Sequence, residues 1–363
     1  MSSNATRSTL AGAQVLYLLV VNTFPTEVFL LPGPLIDEAG KDALWCVALG
    51  TVAALAPALA TRKVLDLLAG EPFDRALVRR AGLAGRAILL ALAIAVLAPL
   101  VNIWGGYGQF VGVAILVHTP AWAIVFTGLV VVIYAVPLDL GALGRLAQLT
   151  VPLGVVLVLG LFLLGAPWFD AANLLPALPR TSIVWGSYQV FTCLAEVVFG
   201  LYLGGLSTDR AGVRRALVQA PFLNGLLLML LTAMPLLIFG AMPSALMNAP
   251  GILAIRAIHY GFVIERLDTL VQPVWVVFVI LKILVWTVLG ARLLAAALGV
   301  RAWALIGRAA TATAALLSLR LYHITAVEGD AEKVWHGLLA PVMLLVLVAS
   351  LIALRPRRTV AAS

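Results

Sequence analysis

Ten apolar runs, each close to 20 residues long, follow one another along the chain with short polar segments between them. A run of about 20 apolar residues crosses the hydrocarbon core of a bilayer as one helix. The runs predict an all-α polytopic membrane protein with about ten transmembrane helices and a single integral membrane domain over residues 1–363. They lie near residues 11–34, 43–60, 86–113, 120–137, 146–166, 181–204, 215–241, 269–297, 302–322 and 334–354.

The composition excludes the competing structural classes. Of 363 residues, 63% are hydrophobic and 11% are charged, whereas soluble domains carry roughly 25% charged residues. Membrane β-barrels are built from short segments of alternating polarity, which the continuous runs are not. Cys46 and Cys193 both lie inside apolar runs, so neither a disulfide framework nor a thiolate metal site is expected.

The basic residues are unevenly divided between the two sides of this ten-span arrangement. Cytoplasmic loops of membrane proteins are enriched in Lys and Arg, so the side with more of them is assigned to the cytoplasm, together with both termini. The net charge of +8 then reflects topology, and no nucleic-acid partner is expected. One side holds 17 of the 24 basic residues, the other holds six (Lys41, Arg180, Arg256, Arg266, Arg320 and Lys333), and Lys282 lies within a span.

Three ionisable side chains, Glu27, Glu196 and Lys282, fall inside the apolar runs. Such groups cost several kcal/mol in a membrane unless they are paired or hydrated, so each is a candidate functional residue. The structural alternatives are an ion pair between helices, or a lysine whose ammonium reaches the interface. Apolar residues flank Lys282 at 274–281 and 283–289. The sequence leaves open whether Lys282 pairs with Glu27 or with Glu196.

Two spans are interrupted by polar residues. In span one, Pro25 breaks or kinks the helix because it lacks an N–H and clashes with the preceding turn. The backbone that this frees is tolerated at membrane depth only where protein or a water-filled cavity satisfies it. Span six carries a comparable interruption from Ser187 to Glu196. The alternative is a simple packing kink, with the polar residues joining neighbouring helices.

These two spans head two five-span halves, residues 10–166 and 181–354, which must have opposite orientations because five is odd. Interrupted helices at matching positions of inverted repeats indicate a transporter-type binding site. Lys282, Glu196 and Glu27 are the candidates for charge balance or for proton or ion coupling. The candidate ligand-binding residues are Asn22, Thr23, Phe24, Pro25, Thr26, Glu27, Gln189, Thr192 and Glu196.

No catalytic motif accompanies these residues, and we expect neither an enzyme nor a bound cofactor or metal. The chain has no HExxH sequence, no GxSxG sequence with a plausible triad, and no paired aspartates within spans. Its four histidines, His118, His259, His323 and His336, are expected at span ends or in loops.

Several local sequences follow one another in the order typical of one family. Residues 262–268, with the sequence FVIERLD, precede Trp275 and Lys282, and this is the most specific match. The other landmarks are residues 39–43, residues 119–122, Arg145, residues 173–176 and Arg256. In these features the chain resembles the spore-germination permease family, the B subunits of germinant receptors, within the amino acid–polyamine–organocation superfamily.

The resemblance implies a LeuT-like fold of two inverted five-helix repeats. It also implies a germinant-binding subunit, usually for an amino acid, beside an A subunit and a lipoprotein C subunit in the inner membrane of an endospore. A stand-alone proton-coupled amino acid transporter is the alternative function. The chain departs from the family at Pro25-Thr26-Glu27, where relatives favour a glycine-rich break. Glu27 would repel a substrate carboxylate, so it would engage an amino group or pair with Lys282.

Overall fold

The computed structural model describes residues 10–25, 30–116, 118–174, 183–247, 249–260, 267–321 and 334–355. Fifteen α-helices lie within these ranges, joined by short 3₁₀ segments and, before the last helix, by the π-helical segment Trp335–Leu339. The helices are α1 (Gly12–Thr23), α2 (Pro32–Ala39), α3 (Ala43–Leu68), α4 (Phe73–Leu97), α5 (Leu100–Ala114), α6 (Ala121–Ala135), α7 (Leu140–Gly165), α8 (Ile183–Leu194), α9 (Gly200–Gly204), α10 (Arg210–Phe239), α11 (Ala241–Ala245), α12 (Pro250–Ala257), α13 (Asp268–Leu298), α14 (Trp303–Leu321) and α15 (Ala340–Ala353).

The predicted membrane-spanning architecture is confirmed. Within the described residues, eight helical stretches are long and apolar enough to cross a membrane, and two shorter apolar helices, α1 and α6, bring the number to ten. Most of the polar segment between spans two and three is helical, because α3 continues to Leu68 and α4 begins at Phe73. Arg and Lys are good helix formers, so a helix can continue through them beyond the apolar run. Gly82, at φ 55°, marks the kink where the polar part of α4 ends.

Chain segments that the sequence places on the same side of the membrane meet in the structure. At one end of the bundle, the Leu10 N–H donates to the Leu206 carbonyl at 3.2 Å, and the Ser207 hydroxyl donates to the Leu10 carbonyl at 2.6 Å. At the other end, the Tyr260 hydroxyl donates to the Leu164 carbonyl at 2.7 Å. These contacts agree with the predicted alternation of the connections between the two sides of the membrane.

Helix α13 forms the centre of the bundle. It packs against α1, α4, α5, α7 and α14, and both Trp275 and Trp286 on it are buried. Each turn of α13 therefore faces other helices on several sides. A polar side chain in its middle, such as Lys282, must find its partners within the protein.

The two interruptions predicted from the sequence occur in the structure. Helix α1 ends at Thr23, and Phe24 and Pro25 continue it as a wider π-type turn. Helix α8 ends at Leu194, where the backbone tightens into the 3₁₀ segment Ala195–Phe199 before α9 resumes the α-helical geometry. Both changes of helical geometry lie in the interior of the bundle, where all residues of the 3₁₀ segment are buried.

Glycines bring α3 and α8 into close contact beside the second interruption. A Cβ added at Gly50 would lie 2.5 Å from the Val190 Cβ, and one added at Gly186 would lie 2.6 Å from the Cys46 sulfur. Such distances are too short for any side chain. Small residues are the usual means by which membrane helices approach closely, and here they hold α8 against α3.

Gly50→Ala should therefore destabilise the protein, by about 1–3 kcal/mol, as overpacking of a tight interface does. The thermal unfolding midpoint of the purified protein in detergent measures the effect. Gly160→Ala is the matched control, because a Cβ at this position in α7 meets no atom within 4 Å. Equal midpoints for the two variants would contradict the close α3–α8 contact.

Candidate functional site

A buried ion pair joins the second interruption to the central helix. The Lys282 Nζ lies 3.3 Å from the Glu196 Oε1, and the two side chains are 2% and 1% exposed. Of the two partners that the sequence leaves open for Lys282, Glu196 is in contact with it in the structure. Glu27 and Thr26 lie outside the described residues.

The other carboxylate oxygen of Glu196 connects the pair to α1. The Thr23 hydroxyl, at the last residue of α1, donates to the Glu196 Oε2 at 3.2 Å. Glu196 therefore accepts hydrogen bonds from the two elements on either side of it. The cation and the hydroxyl offset the cost of burying the carboxylate charge inside the bundle. The three residues Thr23, Glu196 and Lys282, hereafter the central triad, tie together both interrupted helices and α13.

One aromatic ring packs against the ammonium group of Lys282. The Lys282 Nζ lies 4.9 Å from the centroid of the Trp286 ring, a distance at which the face of the ring attracts a cation. Trp286 in turn packs edge-on against Phe199, with ring centroids 4.9 Å apart. Lys282 is therefore paired on one side and packed against an aromatic ring on the other.

The backbone freed by the break in span one is satisfied by protein. The Trp275 indole N–H on α13 donates to the Pro25 carbonyl at 2.7 Å. Phe24, beside it, packs against Phe278 with ring centroids 4.7 Å apart. Trp275 is a landmark of the family resemblance, but no local pattern indicates that its indole reaches Pro25, because the two residues lie 250 positions apart.

A second polar cluster lies on α8, one turn before Glu196. The Thr192 hydroxyl lies 2.5 Å from the His336 Nδ1, and the Tyr188 hydroxyl donates to the His336 carbonyl at 2.6 Å. His336 lies near the start of the last span, as the sequence predicts, but it is buried, with 2% of its surface exposed. Sequence reasoning did not place it near the site. The available signal was a histidine directly preceding an apolar run.

Two predicted ligand-binding residues have polar atoms without partners among the described residues. Asn22 is fully buried near the end of α1, and neither its amide nitrogen nor its oxygen has a hydrogen-bond partner there. The same holds for the Gln189 Oε1 on α8. Buried amides without partners are rare, and each calls for a water, a ligand or a functional explanation. Both residues lie on the interrupted helices, close in sequence to Thr23 and Thr192.

The central triad is closed in this conformation. A small apolar cavity of about 230 Å³ lies beside the break in span one, lined by residues that include Phe24, Gly154 and Trp275. A larger cavity of about 380 Å³ is lined by residues of α3, α9 and α10, including Arg210 and Arg214. Neither cavity is lined by Glu196 or Lys282. A small molecule can reach these two residues only if the helices around them move.

A bundle of membrane helices, two of them interrupted beside a buried charged pair, defines a transporter-like membrane protein, and solved structures agree. A mutant of the Eremococcus coleocola manganese transporter superposes with a TM-score of 0.60 at 13% identity, covering 94% of this chain and 76% of that one. The same transporter in complex with an aromatic bis-isothiourea substituted compound gives a TM-score of 0.63 at 13% identity, covering 96% and 78%. The predicted LeuT-like fold is thereby confirmed.

The chain belongs to the spore germination permease family. Residues 9–320 match the model of this family, which is described as spore germination protein. No curated protein shows significant sequence similarity to the chain. The family predicted from the local sequences is confirmed, and its members are of permease type.

The metal-binding activity of the structural neighbour has no counterpart among the residues that the structure describes here. In these ranges, no group of three or more His, Cys, Asp or Glu side chains could hold a metal ion. A shared fold does not by itself carry a function, and at 13% identity the similarity concerns the fold alone. The chemistry must be argued from this chain's own residues.

Glu196→Gln should cost roughly 3–5 kcal/mol of stability, because it removes the negative charge that faces the buried Lys282 ammonium. Adding Lys282→Met should recover most of this loss, since the double variant buries neither charge of this pair. Unfolding in detergent, followed by heat or denaturant, measures both effects.

Asp66→Asn is the control. It breaks the pair between Asp66 and Arg214, whose side chains are 44% and 45% exposed, and exposed pairs contribute at most about 1 kcal/mol. If Glu196→Gln were no more destabilising than this control, the central pair would not carry the stability assigned to it.

Proposed function

We propose that the protein binds a small germinant of the amino acid class and signals its presence by a change of conformation, as the ligand-binding subunit of a germinant receptor. The observation that carries the proposal is the buried Lys282–Glu196 pair at the interruption of span six. A zwitterionic amino acid carries the same two charges as this pair. Its carboxylate can replace Glu196 beside Lys282, and its ammonium can replace Lys282 beside Glu196.

Ligand binding would then separate two helices that the pair now holds together. Replacing one buried ion pair by two keeps every charge satisfied, which makes the exchange possible at this depth. The Asn22 amide and the Gln189 Oε1, which have no partners among the described residues, can supply further hydrogen bonds to the ligand. A ligand that binds the separated arrangement better shifts the protein towards it.

The resemblance to the B subunits of germinant receptors supports a proposal for the partners and the location. We propose an A subunit and a lipoprotein C subunit as partners in the inner membrane of an endospore. The distribution of basic residues, 17 on one side and six on the other, supports cytoplasmic termini.

A stand-alone proton-coupled amino acid transporter is the second candidate. It is favoured by the transporter-like fold and by two titratable groups in contact at the centre of the bundle. Uptake of a labelled amino acid into proteoliposomes, dependent on a pH gradient, would identify a transporter. Binding without uptake would identify the receptor.

Lys282→Ala and Glu196→Ala should abolish the germination response while the protein still accumulates in the spore membrane. The double variant Glu196→Gln/Lys282→Met separates binding from stability, because it should fold and yet bind no amino acid. Isothermal titration of the purified wild-type protein against a panel of amino acids identifies the ligand.

Arg214→Ala, which breaks an exposed ion pair far from the central triad, is the matched control and should respond and bind normally. Normal germination by spores carrying Lys282→Ala or Glu196→Ala would remove these residues from the site.

The orientation has a direct test by thiol labelling. A membrane-impermeant maleimide added to intact cells should label a cysteine introduced at Ala171, in the segment after span five, and should not label one at Ser3. Both native cysteines are buried, so they give little background. Labelling at Ser3 with protection at Ala171 would show the reverse orientation.

A further inference from the structure

We propose that the cavity of about 380 Å³ between α3, α9 and α10, hereafter the basic cavity, binds the phosphate head group of an anionic lipid. Four of its features support such an occupant: an arginine without a partner, a surplus of positive charge, an apolar wall and a position at the membrane surface. No residue of the central triad lines this cavity, so the lipid site does not depend on the proposed function.

Arg210 supplies the guanidinium that we assign to the phosphate. It is exposed, and its guanidinium has no ion pair and no hydrogen bond to the residues that the structure describes. Gly70, in the turn between α3 and α4, has a φ of 93°, a conformation that favours glycine. A Cβ added at Gly70 would lie 3.3 Å from the Arg210 Cζ and nearer still to its Nη2. The absence of a side chain at Gly70 thus makes room for this guanidinium, whose N–H groups are available to an anion.

The two carboxylates that line the basic cavity are already paired with other arginines. The Arg214 guanidinium donates to the Asp66 Oδ1 through Nε at 3.0 Å and through Nη2 at 2.6 Å. The Glu71 Oε2 accepts hydrogen bonds from Arg79 at 2.6 Å and from Arg80 at 3.5 Å. An anion that enters the cavity therefore meets both carboxylates as members of ion pairs.

The chain segments around the basic cavity carry a surplus of positive charge. Residues 62–86 and 207–215, which supply most of its lining, contain nine basic and four acidic side chains, a net charge of +5. All nine basic residues lie on the side that the sequence assigns to the cytoplasm. Anionic lipids give the cytoplasmic leaflet a negative surface potential, and basic pockets between membrane helices on this side bind lipid head groups. The charge therefore favours an anionic lipid over a zwitterionic one.

The basic cavity also lies at the depth of the lipid head groups. Leu65 is five residues beyond the predicted end of span two, which is about 8 Å along a helix, and the head-group layer is about 5–8 Å thick on each side of the hydrocarbon core. Leu65, Leu68 and Val213 give the cavity an apolar wall opposite its charged groups. A lipid covers such a wall with the first part of its acyl chains, which a free phosphate ion cannot do.

A lipid in this position would connect three parts of the bundle. Gly70 belongs to the turn between α3 and α4, Gly204 ends α9 in span six, and Arg210 begins α10. The same molecule would contact all three. Because a ligand that binds only the folded state stabilises it, the lipid should protect the protein against unfolding.

Thermal unfolding of the purified full-length protein in a neutral detergent tests the site. Saturating phosphatidylglycerol should raise the unfolding midpoint by about 3 °C or more. Phosphatidylcholine with the same acyl chains should leave the midpoint unchanged, because its quaternary ammonium offsets the phosphate charge. An equal rise with both lipids would overturn the proposal.

The variant Arg210→Gln tests the assigned residue. Its apparent affinity for phosphatidylglycerol should fall about tenfold or more, the effect of losing a charged hydrogen bond. Without lipid it should unfold at the wild-type midpoint, since the Arg210 guanidinium has no partner to lose among the described residues. Arg301→Gln is the matched control, because Arg301 is exposed on the same predicted side and lines neither cavity. It should keep the wild-type affinity, and equal affinities of the two variants would overturn the assignment to Arg210.

Inorganic phosphate distinguishes a lipid from a free anion. At the concentration at which phosphatidylglycerol saturates the protein, inorganic phosphate and glycerol 3-phosphate should leave the midpoint unchanged. A rise equal to that with phosphatidylglycerol would overturn the lipid in favour of a free phosphate group. Native mass spectrometry gives a second readout, in which the wild-type protein should retain a phosphatidylglycerol molecule that Arg210→Gln loses. Equal retention by both would overturn the proposal.

Discussion

The need to satisfy charge inside a membrane governs the centre of this protein. Lys282 and Glu196 are almost completely buried, and each offsets the charge of the other. The positions of Glu196 and Thr23 also depend on the two irregular backbone segments. Glu196 lies in the 3₁₀ segment, and the Thr23 hydroxyl that donates to it lies at the end of α1. The interruptions, the central helix and the ion pair therefore specify one another. A pair of this kind adds little net stability compared with well-packed apolar residues, which is a reason to look for its purpose in binding.

Much of the fold and part of the candidate site could be predicted from the sequence, because membrane helices are recognisable by the length and polarity of their apolar runs. The ten spans, the break at Pro25, and Glu196 and Lys282 as candidates all follow from local patterns. Choosing Glu196 as the partner of Lys282 did not, since pairing across 86 residues depends on how the helices pack. The polar extensions of α3 to Leu68 and of α4 from Phe73 do not follow from the apolar runs, because polarity marks the limit of the membrane and not the end of a helix. The burial of His336 was missed because span ends usually face water.

The similarity to the manganese transporter concerns the fold, whereas the chemistry of the site depends on this chain's own side chains. The manganese transporter of Eremococcus coleocola and this protein place their chains alike at 13% identity, which is enough for architecture. In the described ranges, this chain offers a carboxylate, an ammonium, hydroxyls and amides at the centre of the bundle. This set of groups matches the polar ends of an amino acid.

The contact between Leu10 and Ser207 has a mechanical consequence. Ser207 comes shortly after α9, so the chain entering α1 is fastened to the chain leaving the sixth span. Thr23 and Glu196 fasten the same two spans again, deeper in the bundle. Because they are joined both near the membrane surface and deep in the bundle, the two interrupted helices should move together as one rigid body relative to the other spans. A displacement of the chain near residue 10 would then be transmitted to Glu196, and a displacement at Glu196 would be transmitted to the membrane surface.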